Sequence, residues 1–89
     1  MGGHSMKCLY EVEVRAQCPV NKADTDLYEF KIYSGNLINV EKITEFFAKN
    51  AGKHAMYQEE LTRNCAVTLG VRVTSTGWHS GIKVTCDAP

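Results

Sequence analysis

Eighty-nine residues make one small domain, and a chain this short buries a modest core that often needs staples or partners. Ten lysines and arginines balance ten acidic residues, and they are scattered rather than gathered into a stripe, which speaks against nucleic acid as a partner. No apolar run approaches the roughly 20 residues needed to span a bilayer and no stretch is built like a secretion signal, so the expectation is a cytoplasmic protein with no membrane contact.

Residues 1–5, Met-Gly-Gly-His-Ser, read as the remnant of an affinity tag. That leaves residues 6–89 as a single α+β domain and sets His4 aside. From Lys7 to Cys18 the chain alternates: Tyr10, Val12, Val14 and Ala16 share one face, and Glu11, Glu13, Arg15 and Gln17 the other. Period two with one apolar face predicts a strand of an antiparallel sheet. Pro19 lacks a backbone donor and ends it. Residues 20–25 are polar and turn-like, and Leu27 to Tyr33 alternates again with Tyr28, Phe30 and Ile32 on one side. Two such runs around a short loop predict a hairpin.

Ser34-Gly35-Asn36 breaks the pattern. Asn39 is suited to cap a helix over Val40 to Lys49, with Ile38 and Ile43 placed as a hydrophobic staple. Val40, Ile43, Phe46 and Phe47 form its apolar face, and Asn50 and Gly52 stop it. A second helix is expected over Ala55 to Leu69, with Tyr57, Leu61, Cys65 and Leu69 in one stripe and Gly70 as its stop. Val71 to Thr76 is β-branched and strand-like. Gly77-Trp78-His79-Ser80-Gly81 reads as a turn, and Ile82 to Cys86 as a last strand. The order ββααββ implies two layers, two helices on a four-stranded antiparallel sheet. Such a sheet has two open edges, and open edges on a small core favour self-assembly.

Several residues can carry chemistry, each with a plainer reading beside it. The four cysteines are Cys8, Cys18, Cys65 and Cys86. No Cys-x-x-Cys pair is present, so no metal is expected to be needed for folding, and free thiols are expected. Cys18 ends a strand beside Asp24 and Asp26, where a thiol can serve as nucleophile or ligand. Its parity with Val12, Val14 and Ala16 equally suits a packed thiol. Glu59 and Glu60 open the second helix, where each stabilises the helix dipole by roughly 0.3–1 kcal/mol. A carboxylate there can instead accept two parallel hydrogen bonds from the planar N–H and NH₂ edge of a guanine or pterin. His79, flanked by glycines, is free to approach a ligand or simply to face solvent. Trp78 beside it is a packing cap or an interface anchor. Phosphate-binding loops, paired-histidine helices and serine elbows are all missing, which sets aside ATPases, Rossmann oxidoreductases and α/β-hydrolases.

The topology, with Cys18-Pro19-Val20-Asn21 and the run Gln58-Glu59-Glu60-Leu61, resembles the tunnelling-fold superfamily. That group includes GTP cyclohydrolase I, pyruvoyltetrahydropterin synthase, dihydroneopterin aldolase, uricase and the nitrile reductase of queuosine biosynthesis. The chain is most similar to that reductase and to the cyclohydrolase. The resemblance implies subunits joined edge to edge in a β-barrel with helices outside. It also implies sites between subunits, with Glu59 anchoring a purine or pterin. By the same resemblance Cys18, Asp26 and His79 would stand near the reacting atoms, with Gln58 and Trp78 beside the ligand. The sequence also departs from the pattern. Asp24 and Asp26 follow Cys18 by six and eight positions, neither of which is the reductase spacing. Ser34 to Ile43 replaces its lysine-rich cofactor segment, Gln58 stands where it has a histidine, and Ser80-Gly81 stands where the cyclohydrolase continues its zinc-ligand pattern. Fold and ligand class are therefore what the resemblance implies; nicotinamide-dependent reduction and zinc-dependent ring opening are not, and no cofactor is named. A homo-oligomeric purine or pterin binder, with or without catalysis, competes with a non-catalytic α+β adaptor acting through its sheet edge.

Overall fold

The computed structural model describes residues 7–17, 25–51 and 57–89. The proposed boundary between tag and domain, Cys18, Asp24 and His54 lie outside them. Four strands, β1 (Cys8–Gln17), β2 (Thr25–Ser34), β3 (Arg72–His79) and β4 (Ile82–Ala88), form one antiparallel sheet in the order β1-β2-β3-β4. Helices α1 (Val40–Asn50) and α2 (Gln58–Leu69) cover one face of it. This is the two-layer ββααββ arrangement expected from the alternating strands and the two helical stripes.

The alternation sets the register. Val12 pairs with Phe30 and Val14 with Tyr28, and Phe30 and Ile32 pair in turn with Ser75 and Val73. Phe30, Ile32 and Val73 are fully buried beneath the helices. The rings of Phe30 and Phe47 lie 4.7 Å apart, and those of Phe46 and Phe47 5.1 Å. Asn39 caps α1, its Oδ1 accepting from the Glu41 N–H at 2.9 Å. The opposite sheet face is uncovered and charged in rows: Glu11, Lys31, Thr74 and Asp87 lie side by side, as do Glu13, Glu29, Thr76 and Thr85.

Three local expectations are corrected. The segment Gly77-Trp78-His79 is strand rather than turn: Trp78 pairs with Lys83 and His79 with Ile82. The turn is only Ser80-Gly81, with φ of 52° and 81°. That is the two-residue, positive-φ hairpin turn whose twist matches the flanking strands, and glycine takes the second place readily. Next, α2 begins at Gln58, because Tyr57 is its extended N-cap with ψ of 153°. Tyr57 is exposed, and the buried face of α2 is Gln58, Leu61, Thr62, Cys65 and Ala66. Leu61 and Cys65 of the expected stripe are buried, and the polar Gln58 and Thr62 beside them share that face. Finally, Val40 is exposed, and α1 packs through Ile43, Phe46 and Phe47 alone.

Candidate functional site

The first turn of α2 stands over the end of β3, and the residues beneath it are polar. Gln58 is buried. Its Nε2 donates to Ser75 Oγ at 3.0 Å and to the Val84 carbonyl at 3.2 Å. Thr62 Oγ1 donates to the Gln58 carbonyl at 2.7 Å. That uses the only hydroxyl proton of Thr62, so in the 2.6 Å contact between Thr62 and Ser75 the serine donates. Gln58 Oε1 lies 2.8 Å from His79 Nε2. The Val84 carbonyl accepts only a donor, which fixes the amide with Oε1 toward the imidazole. His79 must then carry its proton on Nε2, and its other nitrogen, Nδ1, is left as an acceptor when the ring is neutral. Among the described residues no buried side-chain nitrogen or oxygen lacks a partner, and no protein group bonds Nδ1. It therefore reaches solvent.

Tyr28 closes the cluster on the sheet side. Its ring centroid is 5.7 Å from that of His79, and its hydroxyl donates to Asp26 Oδ2 at 3.2 Å. The ring lies flat across Gly77. A Cβ at that position would come within 2.6 Å of Tyr28 Cε1, so only glycine allows the approach. Asp26, Tyr28, His79 and Gln58 are thus joined at one end of the helix-covered face. Cys18 follows directly on the β1 end whose Ala16 pairs with Asp26, but is itself outside the described residues.

Glu59 lies one residue from Gln58 and points elsewhere. It is exposed and lines a groove of ≈ 360 Å³ between α2 and edge strand β4, with Thr62, Arg63, Cys86 and Asp87. Small-molecule sites usually measure ~300–1,000 Å³. Glu59 makes no hydrogen bond or ion pair among the described residues. Its charge is nevertheless felt: burial first, and then the Glu59 carboxylate, push the Cys86 thiol up from its ordinary value, against a smaller downward pull from the Ser75 hydroxyl. Cys65, buried in the core, is pushed up to about 12 by desolvation. Both are poor thiolates at neutral pH. Cys8, Cys65 and Cys86 are free thiols. Among the described residues no three His, Cys, Asp or Glu side chains come together as a metal-ligand group.

Trp78 is on the other side of the sheet. It is 63 % exposed on the uncovered face, across from Lys83 and next to the row of Arg15 and Leu27. Gly77 faces Tyr28 and Gln58, so the alternation of β3 turns Trp78 away from them. Sequence reasoning missed Tyr28, Thr62, Ser75 and Gly77. The usable signal was the pair Gln58 and Thr62, four apart on the buried face of a helix, facing a strand whose inward positions are Ser75 and Gly77.

No protein-family profile matches the chain, and no curated protein matches it. Among solved structures it is similar to the crystal structure of the archaeosine synthase QueF-Like in the apo form. The two share 18 % identity with a TM-score of 0.83, over 98 % of this chain and 94 % of that one. The fold of the chain is tunnelling-fold-like. No helix among the described residues is long and apolar enough to cross a membrane.

Proposed function

We propose that the protein is a homo-oligomer of the tunnelling-fold kind that binds a purine or pterin between subunits, with Glu59 as the anchor. The observation that carries this reading is an exposed carboxylate, without a hydrogen-bond or ion-pair partner among the described residues, at the mouth of a groove on an open sheet edge. Helix-dipole stabilisation explains Glu60 as well as Glu59, but only Glu59 lines the groove. The strand count supports assembly. In a four-stranded antiparallel sheet the first and last strands run oppositely, so β4 of one copy continues into β1 of the next as an antiparallel pair. A closed ring of copies leaves no edge. Asp26 and His79, with Cys18 leading out of β1, are the groups assigned to any reaction. Gln58 enters as the residue that orients His79. A cytoplasmic setting belongs to the same reading, in which Cys8, Cys65 and Cys86 are free thiols.

The test is calorimetric titration with guanine, GTP and a pterin, on the wild type, Glu59→Gln and Glu60→Gln. A glutamine offers one acceptor oxygen and sets its NH₂ against a donor. Glu59→Gln should weaken binding by about ten- to several-hundred-fold, with thermal stability almost unchanged and Glu60→Gln close to wild type. No binding by the wild type, or greater sensitivity at Glu60, overturns the assignment.

A further inference from the structure

The two open edges carry enough information to specify how copies would join. On β1, the Gln17 N–H turns away from β2 and donates to the Ala51 carbonyl at 3.1 Å. Odd-numbered residues of β1 therefore present their backbone groups outward, and Ala51 blocks that edge at Gln17. On β4, Ile82 closes the two-residue turn opposite His79, so Lys83, Thr85 and Asp87 are the residues whose backbone groups face outward. In both edges these residues also lie on the uncovered sheet face.

Barrel geometry sets the stagger. Eight strands with a shear of about eight tilt by roughly 36°, and barrels generally tilt by roughly 35–45°. One residue of stagger per strand gives such a tilt, so a four-stranded subunit contributes about four. Within one subunit Arg15 pairs with Leu27 and Trp78 with Lys83, and continuing the β2–β3 register one residue beyond Tyr28 and Gly77 sets Leu27 beside Trp78. With no stagger, Lys83 would meet Arg15 of the next copy, like charge against like. Staggering in one direction runs Lys83 past the end of β1, where Ala51 already holds Gln17. Staggering in the other brings Lys83 to Glu11.

The geometry points to a head-to-tail junction in which β4 of one copy pairs with β1 of another, Lys83 opposite Glu11, Asp87 opposite Lys7 and Cys86 opposite Cys8. This inference rests on the oligomer proposed above and specifies its interface. Neither Lys7 nor Lys83 has an ion-pair partner among the described residues, and both gain an acid across the junction. On the helix side, Ile82, 66 % exposed in the single subunit, meets Val12, and Val84 meets Tyr10. The junction also completes the groove. Cys86 lines it beside Glu59, so the next copy's Cys8, on the same sheet face, becomes its far wall, while Lys7 and Asp87 meet on the opposite face.

The cysteine pair supplies the test. Cys86 and Cys8 fall at a non-hydrogen-bonded position, where Cα atoms lie about 4.5 Å apart, inside the roughly 4.4–6.8 Å range of disulfides. Diamide, itself reduced to a hydrazine, removes two electrons and two protons from such a thiol pair as the S–S bond forms. The wild type should give a ladder of covalent multimers whose linked peptides contain Cys8 and Cys86. Cys8→Ser and Cys86→Ser should each give none through these positions, and an equimolar mixture of the two should stop at the dimer, as a head-to-tail contact requires. Linkage of Cys8 to Cys8 or Cys86 to Cys86 overturns the junction. So does linkage of Cys8 to the new thiol of Ala88→Cys in the Cys86→Ser background, which reports a stagger two residues shorter. A charge exchange provides a second readout: Lys83→Glu should weaken association several-fold, and adding Glu11→Lys should restore it. An oligomer by light scattering that shows neither linkage nor restoration refutes this register and leaves the oligomer standing. A monomer by light scattering removes the oligomer itself.

Discussion

Under α1, Phe30, Phe46 and Phe47 meet ring to ring with Ile43 beside them. Under the first turn of α2, on the same face of the same sheet, Gln58, Thr62, Ser75 and His79 meet through hydrogen bonds. The first region gains from every apolar contact and tolerates some freedom of geometry. The second contributes little net stability per bond, yet each bond has a direction, and together they leave the imidazole one tautomer. A small domain has reason to fill its interior with apolar groups. Spending part of it on an amide, two hydroxyls and a half-buried histidine teaches where orientation outweighs stability.

The sharpest way to break this contrast is to damage both halves. Phe30→Ala removes a fully buried ring from the centre of the apolar half. The loss should be about 3–5 kcal/mol, combining transfer and cavity effects, read from urea melts followed by circular dichroism. A loss under about 1 kcal/mol would mean the rings are not what holds α1 to the sheet.

Gln58→Leu keeps the volume and discards the directions. It leaves the Val84 carbonyl and Ser75 Oγ without their donor, and buried polar groups so stranded cost about 1–3 kcal/mol each. His79 can turn to water, so the expected loss is about 2–4 kcal/mol, below that of Phe30→Ala. The second readout is specific to orientation. Long-range ¹H–¹⁵N spectra of the wild type should show neutral His79 protonated at Nε2 and bare at Nδ1, and Gln58→Leu should show a mixture of tautomers. An unchanged tautomer in the variant would reduce Gln58 to a packing residue.

The same contrast explains which features were legible in the sequence. The apolar half declares itself by periodicity: Tyr28, Phe30 and Ile32 alternate, and Ile43, Phe46 and Phe47 recur on a helix, so strands, helices and layers follow from spacing. The polar half has no period. Gln58 and Thr62 lie beside the expected stripe of Tyr57, Leu61, Cys65 and Leu69, of which Leu61 and Cys65 are buried while Tyr57 proves to be the exposed N-cap. Gly77 looks like a turn residue because glycine usually is one. It lies in a strand because Tyr28 occupies the space a Cβ would need, and that is a tertiary fact. The parity of Asp26 and Glu59 did not reveal that the first shares a cluster with His79 through Tyr28 while the second faces an edge groove.

The smallest expected effect comes from the uncovered face, and it separates charged from uncharged hydrogen bonding. Arg72 holds Asp87 through two contacts, Nε to Oδ1 at 3.1 Å and Nη2 to Oδ2 at 3.0 Å. Both residues are exposed, so screening by water and salt leaves little stabilisation. The Arg72 hydrogen bond holds the Asp87 carboxyl below its ordinary value, and Asp87 in turn raises Arg72. A carboxyl depressed in the folded state binds its proton more readily when unfolded, so its contribution is complete above the unfolded value, near 4. It is lost as the pH falls through the lower folded value, while Arg72 stays charged throughout. Wild type and Asp87→Asn should therefore differ slightly in thermal melts at pH 7, and the gap should close as the pH is taken down to about 2. Added salt at pH 7 should narrow it too. Melts must be compared at one protein concentration, because pairing along β4 would bring Lys7 of another copy to Asp87. The gap between wild type and Gln58→Leu should ignore salt, since Gln58, Thr62 and Ser75 carry no charge. A gap at Asp87 that widens toward acid would mean the carboxyl is held protonated rather than charged, and the ion pair with Arg72 would have to be abandoned.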